Sequence, residues 1–321
     1  MLSNHATRAT TPALQPLVPG VTAWRNVFAN LYYVQPTQQE QQPATGAPWV
    51  LVDAGLPASA QHIRHHAAEL FGADNPPQAI VLTHGHFDHV SALPDLLAAW
   101  PEVQVYAHPL ELPYLTGRSA YPAPDPTVGG GGMAALSFLY PKAPLDLGRR
   151  VEALPADGSV PHLPGWRWLH TPGHTPGHVS FFREADRTLL AGDAFTTVRA
   201  ESMAATWTQQ QQVHRPPAYF TPDWEAAHAS VERLAALEPE VAATGHGIAM
   251  VGDELRRQLQ ELAAHFQSQV PAHGRYVAQP AVADASGVVS VPPPLVSPWV
   301  KGLVVAGVVG LLVAQVVRKR A

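Results

Sequence analysis

No cysteine occurs in the 321 residues, which excludes disulfides, thiolate metal ligands and a thiol nucleophile together. That absence fits either redox compartment and decides nothing about location. Charge is scarce too: Asp, Glu, Lys and Arg make up 14% of the chain, against about a quarter in ordinary globular proteins. The formal charge is −5 and the pI near 6.4, so the cationic face that nucleic acid requires is not expected. There is no Gly-x-Ser-x-Gly elbow either, so the exposed serine nucleophile built on that turn is missing. Residues 1–20 hold one Arg and no apolar core of signal-peptide length, and no secretory signal is read there.

Proline (33) and histidine (17) are abundant instead, and the histidines are not scattered. Thr83-His84-Gly85-His86-Phe87-Asp88-His89 places four potential metal ligands in six residues, straight after the apolar run Ala79-Ile80-Val81-Leu82. An apolar run ending in such a cluster reads as a buried strand delivering ligands into the loop at its C-terminal end. Three imidazoles and a carboxylate suit zinc, iron or manganese, with zinc the first expectation for a mostly nitrogen set.

Coarse periodicity orders the rest. Residues 21–34 read as aromatic-rich strand, 35–48 as a hairpin loop, and 49–52 as the returning strand ending at Asp53-Ala54-Gly55. A helix follows over 59–71, with Ser59 at its cap and Gly72 beyond its end. After the ligand loop come a helix near 91–99 and a strand at 103–106. Residues 121–132 hold three Pro and four consecutive Gly ahead of an apolar segment at 133–140, which suits either a lid or a plain surface loop. Strands are expected at 151–154, 166–169, 179–182, 188–190 and 240–243. Helices are expected at 222–237, capped by Thr221, and at 252–269. Pro/Ala/Val-rich residues 271–294 read as a linker between a domain at 1–270 and a tail at 295–321.

Three further segments set a ligand-type residue beside glycine: Thr171-Pro172-Gly173-His174-Thr175-Pro176-Gly177-His178, Leu190-Ala191-Gly192-Asp193 and Thr244-Gly245-His246-Gly247. Strands that end in polar residues aimed at one crevice suit an α/β sandwich. Taken in order, the residues from Thr83 to His89 with His174, Asp193 and His246 resemble the metallo-β-lactamase superfamily, over about residues 21–269. The resemblance implies an αβ/βα four-layer sandwich and two divalent metal ions, zinc first with manganese or iron as alternatives. It implies that His84, His86 and His174 hold one ion, that Asp88, His89 and His246 hold the other, and that Asp193 bridges them. His178, four residues after His174, is the rival ligand but sits where a strand begins, which favours a structural role. Asp53 either orients a ligand imidazole or belongs to a turn. His62, His65 and His66 share one helix face and read as solvated.

By the same resemblance, hydroxide held between two metals attacks an ester, thioester or lactone of a small molecule, with Asp88 or a metal-bound water protonating the leaving group. Branches of the superfamily separate in part. True β-lactamases generally carry Cys or Ser where this chain has Asp193. Flavodiiron proteins carry Glu where it has His86. Lactonases often carry Tyr where it has Thr196. Glyoxalase II adds a helical glutathione-binding domain for which no candidate follows. A glyoxalase-II-like hydrolase is therefore expected, with a lactonase, a phosphodiesterase or a non-catalytic or redox metal-binding protein as alternatives. Residues 194–219, with Phe195, Arg199, Trp207, His214 and Tyr219, are read as one pocket wall or as ordinary core.

The tail suggests a membrane. Between Gly302 and Val317 only Gln315 is polar, and Arg318-Lys319-Arg320 follow. As a helix this segment is about 24 Å long, short of the roughly 30 Å hydrocarbon core, so Trp299, Lys301 and the basic end would have to anchor it. Gly302, Ala306, Gly310 and Ala314 recur every fourth residue, a face on which two such helices pair into a homodimer. The expectation is a C-terminal membrane anchor with the catalytic domain in the cytoplasm.

Overall fold

Val50, Leu51 and Val52, like Ala79, Ile80 and Val81, are buried without exception, because each strand is covered on both faces. The computed structural model describes residues 13–36 and 45–295. Seven strands lie side by side in chain order: β1 (Gln15–Val18), β2 (Val21–Asn26), β3 (Ala29–Val34), β4 (Val50–Val52), β5 (Ala79–Val81), β6 (Gln104–Ala107) and β7 (Val151–Ala153). They pair antiparallel up to β4 and parallel from β4 to β7. A second sheet holds β8 (Trp166–His170), β9 (Val179–Arg183), β10 (Thr188–Gly192), β11 (Val241–Thr244) and β12 (Met250–Val251) in the order β12-β11-β10-β9-β8. Only β10 and β11 run parallel there, and the helix Trp224–Ala235 lies between them in the chain.

Side-chain alternation sorts the core into three layers. Val50, Val52, Ala79 and Val81 face inward onto Phe181, Leu190 and Ala243 of the second sheet. Leu51, Ile80 and Val105 face outward onto Ile63, Leu93 and Leu96 of the helices Ala60–Phe71 and Leu93–Ala99. On the far side Leu189, Ala191 and Ala242 meet Val231, Leu255 and Leu259 of the helices Trp224–Ala235 and Gly252–Ala264. Helix, sheet, sheet, helix is the sandwich expected.

Several local expectations need correction. The stretch 21–34 is a hairpin in its own right, turning at Val27 and Phe28. No Gly or Pro marks it, and Val27 takes φ +62°, a conformation that β-branched side chains resist. The helix expected near 91–99 is Leu93–Ala99, preceded by a separate turn at Phe87–Val90. The helix expected from Thr221 is capped by Asp223, whose carboxylate accepts from the Ala226 amide at 2.9 Å. His66 is buried against Trp24, with ring centroids 5.1 Å apart, and is not solvated.

Residues 271–294 do more than connect. They form a hairpin of β13 (Val282–Asp284) and β14 (Gly287–Ser290). The preceding Tyr276 is buried and donates to Ala123 O at 2.6 Å, and the Val288 amide donates to Ser119 Oγ at 3.1 Å. The membrane expectation is overturned: among the described residues no helix is long and apolar enough to cross a membrane. Residues 296–321, on which the anchor and its small-residue face were read, lie outside the described residues.

Candidate metal centre

Each ligand-type residue stands just beyond a strand. His84, His86, Asp88 and His89 follow β5, His174 follows β8, Asp193 follows β10 and His246 follows β11. The helical turn Phe87–Val90 brings Asp88 and His89 back toward His84 and His86. Backbone hydrogen bonds lock the two sheets together at this end: Val179 N donates to Thr83 O at 2.9 Å, and Asn30 N to Gly245 O at 2.8 Å. All seven residues are buried.

They meet in overlapping triads. One ligand atom from each of His84, His86 and His174 lies within 4.8 Å of the others, and the same holds for Asp88, His89 and His246 and for His84, His89 and Asp193. Asp193 Oδ2 stands 3.1 Å from His246 Nε2, 3.3 Å from His174 Nε2 and 3.9 Å from His89 Nε2. One carboxylate thus faces nitrogens of both outer triads. Asp88 Oδ2 is 3.5 Å from His246 Nε2.

The outward nitrogens are already engaged. His89 Nδ1 bonds Asp53 Oδ2 at 2.8 Å, His246 Nδ1 bonds Phe28 O at 2.9 Å, and His84 Nδ1 meets Thr83 Oγ1 at 3.0 Å. A carboxylate or carbonyl partner places the proton on Nδ1 and leaves the Nε2 lone pair aimed inward. His84 Nε2, His89 Nε2 and Asp193 Oδ1 are buried without a hydrogen-bond partner, and orphaned buried polar atoms of this kind call for a ligand. An imidazole and carboxylate set of this composition fits zinc, iron or manganese.

Electrostatics agrees. Burial pushes His84 and His174 well below the ordinary imidazole value and His86 down to about 3, which keeps them neutral as ligands must be. For His89 and His246 burial acts the same way but is outweighed. Asp53 and Asp88 lift His89 to about 10, and Asp193 and Asp88 lift His246 to about 9. A bound cation competes with those protons for the same lone pairs. Burial pushes the Asp88 carboxyl up.

Two residues weighed in the sequence find their places. His178 Nε2 accepts the Asp193 amide at 2.8 Å while its Nδ1 meets Thr171 Oγ1 at 2.9 Å, so it positions the Asp193 backbone and is not a ligand. Asp53 accepts from the Thr83 amide and hydroxyl, each at 2.8 Å, as well as from His89. The pocket wall read at 194–219 divides: Phe195 is core, Trp207 is exposed, and Tyr219 flanks the site beside Phe220. Phe220, which carried no motif, stacks on His86 with centroids 4.4 Å apart. Glu111 and Asn30 were also missed. Each is a single polar residue in an apolar run, and that is the only signal either offered.

The family model of the metallo-beta-lactamase superfamily matches residues 27–246, more than half of the chain. "Probable metallo-hydrolase YflN" of Bacillus subtilis (strain 168) is 48% identical over 241 residues, covering 75% of this chain and 89% of that protein. A hydroxyacylglutathione hydrolase of Francisella tularensis subsp. novicida (strain U112) is 29% identical over 116 residues, 36% of this chain and 33% of its own length. A B3 metallo-β-lactamase with an active-site glutamic acid shares the fold at a TM-score of 0.54 and 19% identity, covering 82% of this chain and 92% of that one. The chain belongs to the metallo-β-lactamase superfamily, and it is a metallo-hydrolase.

Proposed function

We propose that the chain uses a pair of divalent cations to hydrolyse an ester, thioester or lactone of a small molecule. The observation that carries this is Asp193 Oδ2, set among His174, His246 and His89 between two outer triads whose ligand atoms lie within 4.8 Å. Two cations held there would supply a hydroxide nucleophile near neutral pH and neutralise charge developing on the substrate carbonyl oxygen. The protein's own groups do the rest. Asp88 is buried among these residues and its carboxyl is pushed up by that burial; that carboxyl is the group that passes a proton to the leaving atom. Phe220 and Tyr219 wall the His86–His174 side against water.

The wall on the other side is apolar. Val27, Phe28, Met133, Met203 and Trp207 line a groove of about 330 Å³ together with Arg25, Thr206 and Gln209, and Phe28 also supplies the carbonyl that holds His246. Such a groove suits a substrate with an apolar group beside its scissile carbonyl. Thioesters stand in the substrate set on the likeness to the hydroxyacylglutathione hydrolase.

The test is a panel of p-nitrophenyl esters, thioesters, lactones and phosphodiesters offered to metal-loaded protein, with metal content measured alongside. Hydrolysis of a carbonyl substrate with about two metals per chain is expected. Less than one metal per chain, or turnover of phosphodiesters alone, would sink the proposal.

A further inference from the structure

Glu111 is fully buried and no Lys, Arg or His lies within ion-pair distance of it among the described residues, a costly place for a carboxylate unless hydrogen bonds replace its water. Four donors do so, two per oxygen. Oε2 accepts from the Gly85 amide at 2.9 Å and from the Tyr121 hydroxyl. Oε1 accepts from Thr175 Oγ1 and from the Gly177 amide, each at 2.8 Å. Gly85 lies between His84 and His86. Thr175 follows His174, and Gly177 precedes His178, which holds the Asp193 amide. One side chain therefore ties together the two loops that deliver the first triad.

Its neighbours are shaped for the contact. A Cβ on Gly85 would lie 2.5 Å from the Tyr121 hydroxyl, and one on Gly177 would lie 2.8 Å from both the amide nitrogen and Cγ of Glu111. The two glycines let backbone amides reach the carboxylate where a side chain would hold them off. Tyr121 also packs edge-on against His86, with centroids 4.7 Å apart. The second triad has different supports: Asp53 holds His89, and the Phe28 carbonyl holds His246.

We propose that Glu111 is a positioning residue for the His84–His86–His174 half of the metal centre alone, acting as a clasp between the two loops that carry those imidazoles. The inference rests on the metal reading above. A glutamine cannot replace the carboxylate, because whichever way it turns its NH₂ group faces a backbone amide, Gly85 or Gly177, and leaves that donor unpaired in the interior.

Two backgrounds isolate the effect. His246→Ala leaves the first triad intact, and His86→Ala leaves the second. Adding Glu111→Gln should weaken zinc or cobalt binding roughly 10–100-fold in the first background and leave the second within about threefold. Equal weakening in both backgrounds would reveal general loss of fold and overturn the proposal, as would no weakening in either. If Glu111→Gln does not fold, Thr175→Ala, which removes one donor, is judged by the same asymmetry. Amide hydrogen exchange gives a readout that needs no metal. Gly85 and Gly177 should exchange slowly in wild type and at least tenfold faster in Glu111→Gln, and unchanged exchange overturns the clasp. Wild-type protein that binds no metal would sink the hydrolase proposal, while the exchange comparison would still decide the clasp.

Discussion

Asp53 and His89, 36 residues apart, share a 2.8 Å hydrogen bond in the interior. Asp53 reaches this position from a left-handed backbone with φ +62°, at the end of β4, and its other oxygen takes the Thr83 amide at 2.8 Å. A strained residue is kept where it turns an imidazole toward the centre and pins the start of the ligand loop. Asp53→Ala is expected to cost about 1–3 kcal/mol in urea denaturation, from the buried Thr83 donors left unpaired. Metal affinity should fall roughly 10–100-fold in the same variant. Unchanged affinity would mean that Asp53 serves the fold only.

Chelation should abolish ester or lactone hydrolysis, and added zinc or manganese should restore it. The folded chain should also melt at a lower temperature without metal, because a ligand at about 100 times its Kd adds about 2.7 kcal/mol of stability. Identical melting curves before and after chelation would argue against tight binding at the triads.

Asp88→Asn keeps the shape of the side chain and removes its capacity to carry a proton on demand. Turnover should fall roughly 10²–10⁴-fold, with the thermal stability of the metal-free protein nearly unchanged. A loss confined to KM would assign Asp88 to substrate binding.

Glu201 and Arg215 form a buried ion pair at 2.6 Å. Burial raises the Glu201 carboxyl, but the Arg215 guanidinium outweighs it and holds it below the usual value. A group with a depressed folded-state pKa adds stability above its unfolded pKa of about 4.3 and loses it as pH falls through the folded value. Glu201→Gln should therefore cost about 3–5 kcal/mol at pH 7, leaving the buried guanidinium uncompensated. The gap to wild type should narrow as pH drops below about 4, which denaturation at a series of pH values would measure. A constant gap would mean that the pair's charge contributes nothing.

Val27 stands at the hairpin tip with 66% of its surface exposed and φ +62°. Left-handed backbone costs a residue with a side chain about 1–2 kcal/mol, and glycine gives back about half of that in chain entropy. Val27→Gly is expected to raise stability by ~0.5–1 kcal/mol in urea denaturation. Destabilisation would show that the valine side chain has a partner.

The clustering of the seven His and Asp residues was legible because polar residues beside glycine at the ends of apolar strands are conspicuous. Asp53 was half legible, since an Asp-Ala-Gly turn needs no imidazole to explain it. Glu111 was not, because Pro109-Leu110-Glu111-Leu112-Pro113 advertises a bend and nothing in it names a partner at Gly177, 66 residues on. The hairpin at 282–290 was read as linker from its Pro, Ala and Val content. Its order comes from contacts that no local pattern encodes, such as Val288 with Ser119 and Ala281 with Pro222.

Asn30 has a further consequence. Its side-chain amide donates to Thr244 O and Gly247 O, each at 2.7 Å, across more than 200 residues of chain. Chain closure over such a span comes late in folding, and during synthesis it waits until residue 247 has left the ribosome. A nascent chain that already displays Thr83 to His89 thus presents an open, partial chelator, and His246 arrives only with this last closure. The cluster of Asp88, His89 and His246 is therefore assembled only after that long span has closed.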